Sequence, residues 1–264
     1  MATNWKFYPQ SPLVEAATLV ADIGTSSTKD NILNNRKLSL LNVDTVTAGQ
    51  YRLQIDVGSG NTIDPDFMAL VNHNLYTDTA TVGLTHSTAD TVTGTAPSPV
   101  ATDSFTVVTM TSAHQPIFVK TGIIVLAKRY WWLDITTSSA IAYIGQLLIG
   151  VTVNPSVDPN WESPIEIDIE SGRIVNISPG GFNWKTRTHG IKQGWQVKYQ
   201  FLSDADVTLF KAWLADDDFI DTPFVFTNDG GTTYYYGELM GNPQFKPVQA
   251  GLTDLEFFIS EVIA

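Results

Sequence analysis

The chain contains no cysteine, which excludes disulfide staples, thiolate zinc sites and cysteine nucleophiles. Basic side chains are scarce as well: 15 Lys and Arg stand against 27 Asp and Glu, for a net charge of −12. The longest basic cluster is the pair Lys128-Arg129. Neutralising phosphates takes clustered Lys and Arg, so nucleic acid is not expected as a ligand. Histidine is limited to His73, His86, His114 and His189, none at a helical metal-ligand spacing and none beside a glycine-framed serine. Neither a His-pair metal site nor a Ser-His-Asp nucleophile is predicted. Long apolar runs are missing too. The most apolar stretch, residues 141–153, is interrupted by Gln146 and is shorter than the roughly 20 residues a bilayer span requires. We therefore expect no membrane insertion and read this stretch as a buried strand pair. The opening residues lack a basic region followed by an apolar core, so no secretion signal is expected there. Gly58-Ser59-Gly60 is not followed by Gly-Lys-Ser/Thr and reads as a turn rather than a phosphate loop. Nothing in the pattern implies a cofactor.

What is present is apolar and β-forming. Hydrophobic residues make up 43% and charged residues 16% of 264 positions, enough for two domains with cores of their own. Residues 1–30 mix aromatic, proline and small polar residues. Tyr8-Pro9 and Ser11-Pro12 favour an extended arm, lying on its own domain or on a neighbour. Tyr51, Leu53, Ile55 and Val57 then alternate with Arg52, Gln54 and Asp56, the period of a half-buried strand. Further strands are predicted at 67–75, 79–86, 105–110, 117–127, 130–135 and 141–153, with an exposed Thr/Pro/Ser/Gly-rich loop at 91–99. Their regular spacing points to an antiparallel sandwich or jelly roll. Residues 154–164 hold three prolines and no periodicity, so a linker and a domain boundary are placed there.

The region 165–264 reads as a second β-rich domain with one short helix. Trp195, Val197, Tyr199 and Phe201 alternate as the inward positions of a strand. Ser203 stands where a helix N-cap belongs, with Asp206 three residues on. Val207, Phe210, Trp213 and Leu214 form one apolar face, and the helix is predicted near 204–215. Pro223 to Phe226 is a short strand closed by the turn signal Asn228-Asp229-Gly230-Gly231.

Two resemblances follow from these residues. Leu53 to Gly58, Arg129 to Leu133 and Ile144 to Gly150, with Asn72-His73-Asn74-Leu75, resemble the strands of discoidin-like, galactose-binding-type jelly rolls, including versions carried by phage structural proteins. The order Arg187, Gly190-Ile191, Trp195, the capped helix with Phe210, Pro223-Phe224 and Glu261 resembles the distal-tail and minor tail proteins of long-tailed bacteriophages. The first resemblance implies the fold of residues 31–153. The second implies a tail-tip or baseplate component of the virion, assembled in the host cytoplasm. Its partners would be copies of itself in a six- or three-fold ring, together with tail tube and hub proteins. It implies no catalytic residue. The alternative is a carbohydrate-binding module that attaches to host surface glycans.

Each candidate site has an ordinary explanation beside the functional one. Asp216, Asp217, Asp218 and Asp221 could supply a carboxylate pair or a calcium site, but a solvated acidic corner after a helix accounts for them, and the alternating order of a calcium loop is missing. Glu166, Asp168 and Glu170 share one strand face and suit a charged outer surface or a basic partner. Trp131 and Trp132 face opposite sides of one strand, so one is core and the other is covered by a loop or a neighbouring chain. Interface positions are expected at Trp184, Arg187, Trp195, Phe210, Trp213 and Tyr235, because exposed aromatics favour protein contacts. Glycan-facing positions are expected at Asn61, His73 and Tyr76, because Tyr and His can stack on sugar rings.

Overall fold

The computed structural model describes residues 4–23, 29–33, 41–42, 49–87, 108–114, 116–123, 127–137, 142–160, 165–170, 173–177, 183–187, 192–214 and 222–262. In chain order its elements are β1 (Lys6–Tyr8), α1 (Pro12–Glu15), β2 (Thr18–Ile23), β3 (Leu41–Asn42), β4 (Gln50–Asp56), β5 (Phe67–His73), β6 (Thr81–Ser87), β7 (Val108–Thr109), β8 (Ile117–Thr121), β9 (Tyr130–Thr136) and β10 (Tyr143–Gly150). They continue with β11 (Ile165–Glu170), β12 (Arg173–Ile177), β13 (Asn183–Arg187), β14 (Lys192–Ser203), α2 (Asp204–Trp213), β15 (Phe224–Thr227), β16 (Tyr235–Leu239), β17 (Gln244–Gln249) and β18 (Leu252–Glu261). Short 3-10 turns at Lys29–Leu33, Leu75–Asp78 and Ser112–His114 join some of them. The chain is mainly β and antiparallel, as the alternation predicts, and it divides into two compact units: residues 7–153, and residues 1–6 with 154–263.

The unit of residues 7–153 is a jelly-roll sandwich. One sheet runs β2-β4-β9-β6-β7 and the other β3-β10-β5-β8. Alternation on each strand sends every second residue into one shared core. The register lines up Leu53, Leu133 and Leu84 across three strands, and next to them Tyr51, Ile135 and Val82. Met68, Leu70, Ile144, Leu147 and Ile149 of the other sheet belong to the same buried cluster. Residues 7–23, expected as an extended arm, are built into this unit. Ser11 donates its amide to Ile149 O at 3.0 Å, Phe7 and Val153 pair reciprocally at 2.9 Å, and β2 pairs with β4. Within the stretch 141–153, expected as a strand pair, the described residues hold one strand, β10. β5 flanks it along most of its length and β3 pairs beside its first residues, so both its edges are satisfied from distant chain.

The second unit is one twisted sheet in the order β15-β16-β18-β14-β11, with β17 on the free flank of β18 and α2 against β14 and β18. β12 and β13 form a separate hairpin. The capping signal is realised: Ser203 Oγ accepts the Asp206 amide, and the helix runs Asp204–Trp213. Residues 154–160, expected as linker, are part of this unit. Asn160 donates its amide to Lys198 O at 2.9 Å, and Asp158 Oδ1 accepts the amides of Asn4 and Trp5 at 2.7 and 3.2 Å.

The inward reading of Phe201 needs correction. Tyr199 pairs with Leu255 and Leu202 with Thr253, so the strand carries an extra residue at a bulge. A bulge inverts the alternation beyond it. Leu202 takes the core place, fully buried, and Phe201 is 55% exposed.

Candidate functional site: ring placements and the sandwich end

Strand β5 separates Asn61 from the other two glycan-facing candidates, His73 and Tyr76. Asn61 lies in the turn before β5, where its amide donates to Gly58 O and its side-chain Nδ2 to Val57 O at 3.0 Å. His73 ends β5 and Tyr76 sits in the 3-10 turn that follows. At a rise of about 3.3 Å per residue, a strand of this length puts Asn61 and Tyr76 on the order of 20 Å apart, at opposite ends of the sandwich. His73 and Tyr76 do meet, edge-on, with ring centroids 6.2 Å apart. His73 is buried, so it supports the Tyr76 ring from below and offers no ring face to a ligand. Its Nε2 lies 2.9 Å from His114 O, a bond that fixes the proton on that nitrogen. Desolvation lowers its pKa to about 4. Tyr76 is half-buried, with exposed Thr77 beside it; the Thr77 hydroxyl donates to Asn74 O at 2.8 Å. Asn74 in turn accepts the Tyr143 amide at 2.7 Å through Oδ1, so this end of the sandwich is tied down on both sides.

The sheet face turned away from that core carries charge that the sequence left unassigned. Arg129 grips Asp56 with two nitrogens at 2.6 and 2.7 Å and lies 4.6 Å over the Tyr130 ring. That guanidinium holds the Asp56 carboxyl below the usual range. Arg52 bonds Asp134, which also accepts the Thr85 hydroxyl at 3.2 Å. Arg52 and Asp134 are direct cross-strand partners. Polar alternation along β4 showed Arg52, Gln54 and Asp56 sharing a face, but only the pairing with β9 supplies their partners. Trp131 packs in the core with the His86 ring edge-on at 5.1 Å, while Trp132 is 1% exposed on the opposite face. Both tryptophans are therefore buried, as expected from their consecutive positions.

The interface candidates in the second unit are largely spoken for. Trp195 is buried opposite Ile259, edge-on to Phe226 at 5.0 Å and 5.0 Å from Tyr235, which itself stacks on Phe226 at 5.4 Å. Phe210 is buried among Tyr199, Trp213 and Phe257. Trp213 is half-buried and edge-on to Phe224 at 5.0 Å. Trp195 and Phe210 thus give their ring faces to their own unit, because amphipathic alternation and helical spacing select core positions first. Trp184 and Arg187 lie on β13 opposite Asn176 and Arg173, and their side chains lie outside the described residues. So do the carboxylates of Asp216, Asp217, Asp218 and Asp221 and those of Glu166, Asp168 and Glu170. Among the described residues, no cluster of three or more His, Asp or Glu side chains could hold a metal, and no helix is long and apolar enough to cross a membrane.

No protein-family model and no curated protein matches the chain. Solved structures similar to it include a CBM32 module of Clostridium perfringens (9% identity, 50% of this chain, 91% of that one, TM-score 0.34). A second is chitosan-binding module 1 of a Paenibacillus chitosanase/glucanase (13%, 52% and 96%, TM-score 0.36). A third is the fucose-binding module SpX-3 of Streptococcus pneumoniae (8%, 53% and 96%, TM-score 0.36). On its own residues, the chain is a mainly β protein with a jelly-roll sandwich and a second, helix-backed sheet.

Proposed function

We propose that the chain is a non-catalytic attachment protein whose jelly-roll unit recognises a surface glycan at the end of the sandwich marked by Tyr76. The observation that supports this reading is the Tyr76 ring, half-exposed and held edge-on by buried His73, with exposed Thr77 alongside. A rigid aromatic with polar neighbours suits the apolar face and hydroxyl rim of a sugar, because little side-chain entropy is lost on binding. Asn61 drops out of this site by distance. The likeness of fold to carbohydrate-binding modules is in keeping with the reading without carrying it. The test is a glycan array probed with the full chain, followed by titration of any hit against Tyr76→Ala. Saturable binding that Tyr76→Ala abolishes, at an unchanged melting temperature, supports the reading. An array without hits, or hits indifferent to Tyr76, overturns it.

A second reading, a component of a long-tailed phage tail tip, is favoured by the element order of the second unit. Strand, Ser203-capped helix, Phe224 strand, glycine turn and a last strand bearing Glu261 follow one another as that resemblance implies, and Glu261 accepts the Gln193 amide at 3.0 Å. This reading expects ring assembly with copies of itself and binding to tail tube or hub proteins. Mixing the chain with tail tubes and sedimenting them tests it: failure to co-sediment removes it.

A further inference from the structure

Asp229–Gly230 is the only place in the chain where aspartate or asparagine precedes glycine. Such a step is the most prone to cyclise, because glycine neither shields its own nitrogen nor restricts its backbone. The Gly230 nitrogen would attack Asp229 Cγ, forming an N–C bond and breaking a C–O bond. The amide hydrogen and the carboxyl hydroxyl leave together as water. Water then opens the succinimide at either carbonyl, giving back aspartate or giving isoaspartate, which has one extra carbon in the main chain and the same mass. Two conditions govern the first step. The carboxyl has to be protonated, because a carboxylate oxygen leaves poorly as oxide, and the amide has to give up its hydrogen.

In the folded unit neither condition is met. Asp229 Oδ1 accepts the Thr227 hydroxyl at 2.8 Å and the amides of Thr232 and Thr233 at 2.9 Å, bonds that favour the ionised carboxyl. The Gly230 amide donates to Asn4 O at 3.0 Å, so its hydrogen is held by a segment distant in sequence. That segment has anchors of its own. Asp158 Oδ1 accepts the Asn4 and Trp5 amides at 2.7 and 3.2 Å. Trp5 is buried and stacks on Phe226, with ring centroids 5.8 Å apart and planes 12° apart. Residues 4–5, Asp158 and the turn all belong to one compact unit. The carboxyl is thus locked within the turn itself, whereas the amide is locked only as long as residues 4–5 stay docked.

We propose that Asp229–Gly230 is a latent isoaspartate site, closed while residues 4–5 are docked and open to succinimide formation when they lift away. Segments of a fold open locally at lower cost than the whole fold unfolds, so the modification reports on this docking rather than on global stability. The change also prevents its own reversal by refolding. Isoaspartate carries its carboxylate on the α-carbon of a lengthened main chain, so Thr227, Thr232 and Thr233 lose the acceptor position they share. The turn then cannot re-form as before, and molecules that have opened there are marked. The site is independent of the glycan reading.

The test is to incubate the full chain at neutral pH and body temperature and to follow isoaspartate by enzymatic methyl transfer to its carboxylate, placed by peptide mapping. Wild type is expected to label slowly and the urea-unfolded chain fast. Asp158→Ala and Trp5→Ala free residues 4–5 and leave the turn's own residues intact. Removing hydrogen bonds to a charged group raises the open population on the order of tenfold, and labelling at Asp229 is expected to rise with it. Asn4→Ala keeps the backbone carbonyl that holds the Gly230 amide and is expected to label at the wild-type rate. Phe210→Leu lowers the stability of the same unit through the packing of α2, and the same rate is expected of it. The proposal is overturned if wild type labels as fast as the unfolded chain, if Asp158→Ala or Trp5→Ala labels no faster than wild type, or if Asn4→Ala or Phe210→Leu matches them. None of these outcomes bears on the glycan array.

Discussion

Asp206 accepts both the amide and the hydroxyl of Ser156, at 2.8 and 2.6 Å, while the Ser203 hydroxyl donates to the same carboxylate at 2.7 Å. One carboxylate in the first turn of α2 thereby fixes the helix N-terminus and the chain segment that enters the second unit. Burial works to raise its pKa, but the hydrogen bonds from Ser156 and Ser203 outweigh burial and leave the group below the ordinary carboxylate value. Asp206→Ala removes the shared acceptor from three donors, and a hydrogen bond to a charged group contributes about 1.5–3 kcal/mol. The expected loss is about 3 kcal/mol of stability in the second unit. Urea unfolding followed by tryptophan fluorescence, with Ser156→Ala as a milder companion, measures it.

His73 makes the jelly-roll unit acid-sensitive. Its folded pKa is about 4, below the 6.5 of an exposed imidazole. The folded state therefore disfavours the proton, and the unfolded chain takes it up first. The contribution of neutral His73 is fully present above pH 6.5 and is lost as pH falls from 6.5 towards 4. A shift of this size corresponds to about 3 kcal/mol at full extent. Unfolding midpoints at pH 7 and pH 4.5 are expected to differ for wild type and to converge in His73→Gln, which cannot titrate there.

A second acid effect lies lower. Asp229 Oδ1 accepts the amides of Thr232 and Thr233 at 2.9 Å and the Thr227 hydroxyl at 2.8 Å. These bonds overcome desolvation and bring its pKa to about 2. Stability from this turn is present above the unfolded value of 3.8 and is lost as pH falls through 2. Asp229→Asn is expected to abolish the part of the acid transition between those values, read as a flattened stability profile below pH 4.

Gly150 has no room for a side chain. A β-carbon there would lie 2.5 Å from Pro9 O and 3.3 Å from the Ser11 amide nitrogen. Both are backbone atoms, so residues 9–11 would have to lift off β10 and break the Ser11–Ile149 bond. Gly150→Ala is expected to cost about 2–3 kcal/mol, as overpacking against backbone does, and to speed proteolysis within residues 7–20.

Arg129 and Asp56 tie the turn after β4 to the start of β9. Both are partly exposed, at 32% and 21%, so solvent screening keeps the pair modest. Arg129→Ala is expected to lower stability by about 1 kcal/mol, and Arg129→Lys to recover little of it because the two-nitrogen grip is lost. A double-mutant cycle with Asp56→Ala isolates the interaction.

Local patterns determined a good deal about this protein. The period-two runs at 51–57 and 165–169 and the aromatic run at 130–135 form strands, Ser203 caps a helix, and Asn228 to Gly231 is a turn, because each depends on neighbours within a few residues. The scarcity of cysteine, histidine and basic clusters is likewise a property of the chain alone. What pairs across long separations was decided by tertiary structure. Gln244 to Gln249, with Pro247 and no clean alternation, becomes β17 only because the flank of β18 is there to bond it. Residues 7–23 become part of the sandwich because β4 and β10 offer backbone partners. Asn61 and Tyr76 look close in sequence but are separated by the length of β5. The outward turn of Phe201 follows from one extra residue between two registers, a count that no periodicity along β14 could reveal.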